Sequence, residues 1–274
     1  MRKYVFTLMT IMYSLLIVAE APAPSNGTLL GYVYDAITNE PITRAEISVN
    51  SGNRLIKRML SMNNGRYFSA FRPLSNYQVK VQKSGYETMT KGPLTIPKDG
   101  RARHDFYLMP KDITFTFHLS RGSNLVSLPL VVNNMSLGDI FQDMSAAFQK
   151  SESGYYNIVN KNETIRYGVS YIIIIPENNS YSVVGKPVNI LKVRIPKNTW
   201  RLIPSVIGTA IPKSNPEYVI SQLIGNANGT YYVANEMVEG NAYYIKTTED
   251  SEIIIDSRTS SFWPFPRKYI SNDQ

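Results

Sequence analysis

Between Thr28 and Met109 the apolar residues fall in short runs divided by turn-forming clusters, and no i, i+3, i+4, i+7 spacing persists over three helical turns. Thr28 to Tyr34 (Thr-Leu-Leu-Gly-Tyr-Val-Tyr) is rich in β-formers, and Ile-Thr-Asn-Glu-Pro at 37–41 is a turn cluster. Further strands are predicted at 46–49, 55–62, 66–71, 77–82, 87–89 and 102–109. Ser51-Gly52-Asn53 turns the chain after the second, and Asn63-Asn64-Gly65 reads as a hairpin turn between the third and fourth. Roughly seven strands in about 85 residues, with turns every 8–12, predict a seven-stranded antiparallel β-sandwich.

From Lys111 to Asp256 the strands become rich in Ile and Val. The run Val169 to Ile175 suits a buried strand and is too short for a membrane span. Two short helices are predicted. One covers 136–144, with Ser136 as N-cap and Asp139 three residues on. The other starts at Asn215-Pro216, with Glu217 in its first turn, and runs through Tyr218, Val219 and Leu223 to Gly225. The region also reads as two copies of one unit, about 113–187 and 190–256. Asn124-Leu-Val-Ser-Leu-Pro129 is echoed by Arg201-Leu-Ile-Pro204, and the first helix by the second. Tyr155-Tyr156 is echoed by Tyr231-Tyr232, and Arg166-Tyr-Gly-Val-Ser-Tyr171 by Val238-Glu-Gly-Asn-Ala-Tyr243. The expected architecture is a mainly β, pseudo-twofold duplicated domain with one short helix per copy.

The two ends carry different signals. Arg2 and Lys3 precede an apolar run from Val5 to Ala19, followed by Ala21, Pro22, Ala23 and Pro24. That is the layout of a secretory signal peptide, placed at 1–21. Fifteen helical residues reach about 22 Å, short of the roughly 30 Å hydrocarbon core, which favours a cleaved leader over the alternative, an uncleaved membrane anchor. Export to the extracellular space or cell surface, or to the periplasm of a two-membrane cell, is the expectation. The end of the chain, 257–274, holds Phe262-Trp-Pro-Phe-Pro-Arg-Lys-Tyr269, where two prolines forbid a helix or central strand. It reads as an extended strap on the second domain or a docking peptide.

Several residues of the first region resemble a known family. Gly31-Tyr-Val-Tyr-Asp35, then Thr38, Pro41 and Ala45, then Asn64-Gly-Arg-Tyr67 open the pattern. Tyr77-Gln-Val-Lys-Val81, Gly85-Tyr86 and Asp105-Phe-Tyr-Leu108 with Pro110 complete it in order. Together they resemble the carboxypeptidase regulatory-like domain, a transthyretin-like or immunoglobulin-like sandwich, over 22–110. The resemblance implies a non-catalytic accessory module on secreted or surface proteins. Arg44 stands where a small residue is usual. The first copy of the second region is also similar to the Gly-Trp-Asn-Leu-Val-Ser-Leu-Pro repeats of bacterial surface proteins, although Ser123 takes the Trp position. Trp200 falls at the equivalent place in the second copy.

Composition narrows the chemistry. The 274 residues are 43% hydrophobic and 18% charged, which suits a packed globular protein. With no Cys and two His, disulfides, thiol catalysis and Cys- or His-rich metal sites are excluded, and no cofactor is expected. Residues 22–110 hold 12 Lys and Arg against 6 Asp and Glu, so the first region carries most of the net charge of +8. Arg66 and Lys80 are candidates there for an anionic polysaccharide, wall polymer or lipid headgroup. Nucleic acid is not an expected partner, because no nucleic-acid motif accompanies the export signal. In the second region the pairs Tyr155/Tyr156, Tyr231/Tyr232 and Tyr243/Tyr244 stand out, with Trp200. Strand neighbours point to opposite faces, so each pair is expected to bury one ring and expose the other as a platform for a sugar or a protein.

Catalytic patterns are few. His118 lies on an alternating strand and His104 beside Asp105, both as ordinary surface residues. No Gly-x-Ser-x-Gly, His-Glu-x-x-His or phosphate-cradling loop occurs. Glu249-Asp-Ser-Glu252 reads as an acidic turn. Five sequons, at Asn26, Asn134, Asn162, Asn178 and Asn228, match what chance gives in an Asn-rich chain. The sequence therefore points to a non-catalytic surface module that contacts glycan or another surface protein. The alternatives are a structural or assembly component of the cell envelope and, behind it, a glycan hydrolase whose carboxylate pair assembles only in the fold.

Overall fold

The computed structural model describes residues 26–151, 154–217, 219–227 and 229–259. The predicted leader, the aromatic tail from Phe262 to Tyr269, Tyr218 and the sequon residue Asn228 lie outside the described residues. Among the described residues no helix is long and apolar enough to cross a membrane.

Eight strands make the first unit: β1 (Gly27–Asp35), β2 (Glu46–Ser51), β3 (Arg54–Leu60), β4 (Arg66–Phe71), β5 (Leu74–Gln82), β6 (Met89–Ile96), β7 (Arg101–Arg103) and β8 (Phe106–Leu108). One sheet has the order β4-β1-β7, with β8 on the far half of β1; the other is β3-β2-β5-β6. β7 and β8 run parallel to β1, and the other pairings of the unit are antiparallel. Alternation does the sorting: Leu29 and Val33 of β1 face Ile47, Val49, Val79 and Val81 across one core that also holds Tyr67, Phe71 and Phe106.

Two turn expectations meet different outcomes. Gly65 takes φ +74°, as the turn before an outgoing strand requires. That turn does not close a hairpin, however: β3 pairs with β2, and β4 pairs with β1 in the opposite sheet. The cause sits just upstream. Buried Ser61 donates its hydroxyl to the Ile42 carbonyl at 2.6 Å and accepts the Ala45 N–H at 2.8 Å, which ends β3 and sends the chain across the sandwich. Arg44 adopts φ +54°, a left-handed position that explains why a small residue is usual there.

The remaining chain contains β9 (Ile113–Leu119), β10 (Gly122–Ser127), β11 (Leu130–Val131), α1 (Leu137–Ile140), β12 (Ala146–Lys150), β13 (Tyr156–Val159), β14 (Ser170–Ile175) and β15 (Asn179–Pro187). It continues with β16 (Ile190–Ile195), β17 (Arg201–Pro204), β18 (Lys213–Asn215), β19 (Ile220–Ala227), β20 (Thr230–Val233), β21 (Ala242–Thr247) and β22 (Ser251–Asp256). The sheets β10-β14-β12-β13 and β11-β15-β9 have direct counterparts in β17-β21-β19-β20 and β18-β22-β16.

The likeness of the copies extends to register. Val126 lies opposite Tyr171, and Ile203 opposite Tyr243. Both tyrosines are fully buried, and their hydroxyls accept the backbone N–H of Arg166 and Val238, each five residues back. Gly168 and Gly240 supply the left-handed turn between, at φ +75° and +80°. Each copy has its own buried cluster, one around Phe141 and Tyr171, the other around Ile203 and Tyr243.

The helices are shorter or absent. α1 spans four residues, with the expected capping box between Ser136 and Asp139, and stops at Phe141, which turns into the core. No helix forms over 215–225. That segment holds the end of β18 and most of β19, whose Leu223 and Ile224 pair with Ile245 and Tyr244 in the place β12 occupies in the first copy. Local capping signals at Pro216 and Glu217 lose to cross-strand pairing on both sides of β19.

The copies are joined at buried Ser127. Its hydroxyl donates to the Asn241 carbonyl at 2.8 Å and accepts the Ser205 N–H at 2.9 Å, while its own N–H donates to the Gly240 carbonyl at 2.9 Å. Phe115 of the first copy packs over Gly240 of the second so closely that a Cβ there would sit 2.5 Å from the ring. The first unit meets the second copy through Ile37, which packs on its cluster, and Glu40, which takes Lys192 Nζ at 2.7 Å.

Candidate binding site

β13 and β20 are edge strands, each paired on one side only, with β12 and β19. Among the described residues little lies over them: all four residues of β20 are exposed, as are Tyr156, Asn157 and Ile158 of β13. The expectation that each tyrosine pair buries one ring and exposes the other is met for Tyr243, which is core, but its neighbour Tyr244 is half-buried rather than exposed. It fails for the other two pairs. Tyr231 and Tyr232 are both exposed on the edge strand β20, and Tyr155 precedes β13 at 75% exposure. Register also corrects the repeat alignment. Ile158 faces Phe148 as Val233 faces Ile224, so Tyr156 corresponds to Tyr231 rather than to Tyr232.

Three of the predicted tyrosines converge from different copies. Tyr156 of the first meets Tyr244 of the second with their hydroxyl oxygens 2.8 Å apart, across 88 residues of sequence. The Tyr231 ring lies tilted against Tyr244 with centroids 6.2 Å apart. Lys150, not foreseen from the sequence, holds Nζ 5.2 Å from the Tyr244 ring centre and 5.9 Å from that of Tyr156. A cation over two ring faces is favourable. Tyr232 takes a different part: its ring lies over Gly225, where a Cβ would come within 2.6 Å of it. Burial, and then the hydrogen bond to Tyr156, push the Tyr244 hydroxyl well above the usual tyrosine range. The cluster therefore holds Tyr244 as a neutral phenol and offers hydroxyl donors, acceptors and aromatic edges beside the Lys150 ammonium.

The other predicted residues lie apart. Trp200 is half-buried just before β17. Arg66 and Lys80 project from different sheets of the first sandwich, β4 and β5, on its two opposite outer faces. His118 is exposed and its Nδ1 bonds the Ser180 hydroxyl at 2.8 Å; His104 is half-buried, and burial and then Lys91 lower its pKa. In the acidic turn, Asp250 accepts the Lys197 N–H at 2.7 Å. Among the described residues no three His, Asp or Glu side chains gather as a metal site.

The buried phenols predict how the fold responds to base. Burial raises Tyr67, Tyr86, Tyr171, Tyr243 and Tyr244, and burial with the Asp143 hydrogen bond raises Tyr181 to about 12. A raised folded-state pKa adds stability that is complete below the unfolded value near 10 and is lost as pH climbs through the folded value. Denaturant midpoints are expected to be level from pH 7 to 9 and to fall steadily above pH 10. A level midpoint to pH 12 would contradict the buried, neutral assignment of these rings.

Residues 28–109 match the family model of the carboxypeptidase regulatory-like domain. The resemblance seen in the sequence and the eight-stranded sandwich agree with that match. No curated protein sequence matches the chain. Among solved structures, the chain is similar to the Bacillus anthracis TIE protein at 12% identity and a TM-score of 0.32, covering 82% of this chain and 48% of that one. It spans about half of that relative. A protein of Bacteroides uniformis, provisionally described as carbohydrate-binding, is 12% identical, covering 85% of this chain and 99% of its own with a TM-score of 0.29. A streptococcal ancillary pilin is 12% identical over 78% of this chain and 60% of its own, with a TM-score of 0.25. At 12% identity and TM-scores of 0.25–0.32 these similarities carry no function over to this chain.

Proposed function

We propose that the chain is an exported, non-catalytic binding protein of the cell surface: a leader at 1–21, a sandwich over 22–110, a duplicated β-rich domain over 111–256 and a terminal tail. The observation that carries the reading is the meeting of Tyr156 and Tyr244 from opposite copies, beside Tyr231 and Lys150. Tyrosine hydroxyls and rings at a surface recognise sugar hydroxyls and ring C–H faces, and such rigid rings lose little conformational entropy on binding. The glycan reading places the ligand across both copies, so neither would bind alone. Glycan-array binding by the purified chain tests it. Tyr156→Ala and Tyr244→Ala are each expected to weaken a bound glycan about tenfold or more, roughly 1.4 kcal/mol, and the exposed Tyr156→Ala to leave the unfolding midpoint little changed. An array without hits, or variants that bind as well as the parent, would remove the glycan reading.

A second reading is favoured by a different observation. β13 and β20 are open edges carrying Ile158 at 81% and Val233 at 70% exposure, with no charged side chain in either strand. Unguarded edges of this kind pair with strands of other chains. An assembly role predicts that Val233→Lys blocks capture of envelope proteins while leaving glycan binding intact.

A further inference from the structure

The outer face of the β4-β1-β7/β8 sheet points away from the first core, opposite buried Leu29 and Val33. Alternation sends Thr28, Leu30, Tyr32 and Tyr34 of β1 outward. Strand pairing then sets Phe68 and Arg103 on either side of Leu30, Arg66 beside Tyr32, Arg101 beside Thr28 and Tyr107 beside Tyr34. Three arginines and four aromatic rings thus share one flat face. Asp105 is the acid that touches it, bound to Arg103 at 3.0 Å; Arg66 and Arg101 have no acid partner among the described residues.

The rings are arranged as a row. Tyr32 and Tyr34 stack with centroids 5.8 Å apart and 16° between planes, and Tyr34 and Tyr107 follow at 5.3 Å and 27°. The Arg103 guanidinium lies 5.5 Å from the Tyr32 ring centre, and that of Arg66 5.0 Å from the Phe68 ring. The Tyr34 ring therefore lies between Tyr32 and Tyr107, and Tyr32 also meets Arg103, while Tyr107 has one ring neighbour and Phe68 one guanidinium. The face offers a ligand the row of hydroxyls, none bonded to a described residue, together with guanidinium N–H groups. We propose that this face binds an acidic polysaccharide, with Arg66, Arg101 and Arg103 meeting its carboxylate or sulfate groups and the hydroxyls of Tyr32, Tyr34 and Tyr107 its sugar hydroxyls. Guanidinium forks match such planar anions. The surplus of cations over the whole sandwich, 12 against 6 acids in 22–110, draws a polyanion toward it. Single-stranded nucleic acid needs open ring faces for base stacking, and in this row the Tyr34 ring lies between two others.

Titration calorimetry with polygalacturonate, dextran sulfate, neutral dextran and poly(dT) tests the assignment. The two acidic polymers are expected to bind and neutral dextran not to. The triple replacement of Arg66, Arg101 and Arg103 by Gln should weaken acidic polymer binding at least tenfold. Replacing the three tyrosines by Phe keeps the stack and should weaken it about threefold. Raising salt from about 50 to about 200 mM should weaken it several-fold. Tyr156→Ala with Tyr244→Ala should leave it unchanged, which separates this face from the cross-copy site. Equal binding by the arginine variant, salt-independent binding, or no acidic polymer bound would overturn the proposal. Poly(dT) held more tightly than either polysaccharide would reassign the face to nucleic acid.

Discussion

A single methyl group at residue 31, in Gly31→Ala, is expected to cost the first sandwich more than roughly 3 kcal/mol, the range of the largest single-site effects. The residue sits mid-strand in β1 where β7 gives way to β8. A Cβ there would lie 1.8 Å from the His104 carbonyl oxygen and 2.9 Å from the Tyr67 hydroxyl. Those two atoms are bonded to each other at 2.6 Å, and the His104 N–H donates to the Leu30 carbonyl at 2.9 Å. The methyl group can be admitted only by pulling the β7–β8 segment off β1, which opens the core at Phe106 and Tyr67. Gly52→Ala gives the comparison: it has open space around its Cβ and only a left-handed φ of +57°, so about 1 kcal/mol is expected. Urea denaturation of the two variants should show a large shift of midpoint for the first and a small one for the second. Equal midpoints would mean that close approach of backbone is not what requires glycine at 31.

Gly31 also shows which parts of this fold could be read in advance. The β-formers of Thr28 to Tyr34 mark a strand by their own composition, and so β1 was legible. So were the positive φ of Gly65 and the Ser136–Asp139 capping box, which depend on neighbours within three residues. The failures share a cause of the opposite kind. Asn63-Asn64-Gly65 encodes a reversal but not which sheet receives the outgoing strand; Ser61, through partners at Ile42 and Ala45, decides that. Pro216 and Glu217 are sound helix-start residues, yet the partners that hold β19 as a strand are contributed by β20 and β21. The site divides along the same line. Tyr156, Tyr231 and Tyr244 were visible as aromatic pairs. Their meeting, and the part of Lys150, arises from packing between copies that no local pattern records.

The same packing sets the second large expectation. Ser127→Ala is expected to destabilise the duplicated domain by about 3 kcal/mol, far beyond the usual cost of trimming a hydroxyl. Ser127 is fully buried at the end of β10, and its oxygen serves both copies at once. Without it the fully buried Ser205 N–H loses its acceptor, an orphan that costs about 1–3 kcal/mol, and the half-buried Asn241 carbonyl loses its donor. Ser205→Ala removes only the hydroxyl that lies 3.1 Å from Ser127 Oγ and leaves both backbone bonds, so less than about 1 kcal/mol is expected. The contrast bears on the binding reading, because Tyr156 and Tyr244 stay within 2.8 Å only while the copies hold their mutual position. Ser127→Ala should therefore broaden the unfolding transition as the copies part, and weaken any ligand of the cross-copy tyrosines while leaving the arginine face of the first sandwich at full strength. If Ser127→Ala and Ser205→Ala shift the midpoint equally, the copies are held by apolar packing around Phe115 and Gly240 alone, and the serine is incidental to the joint.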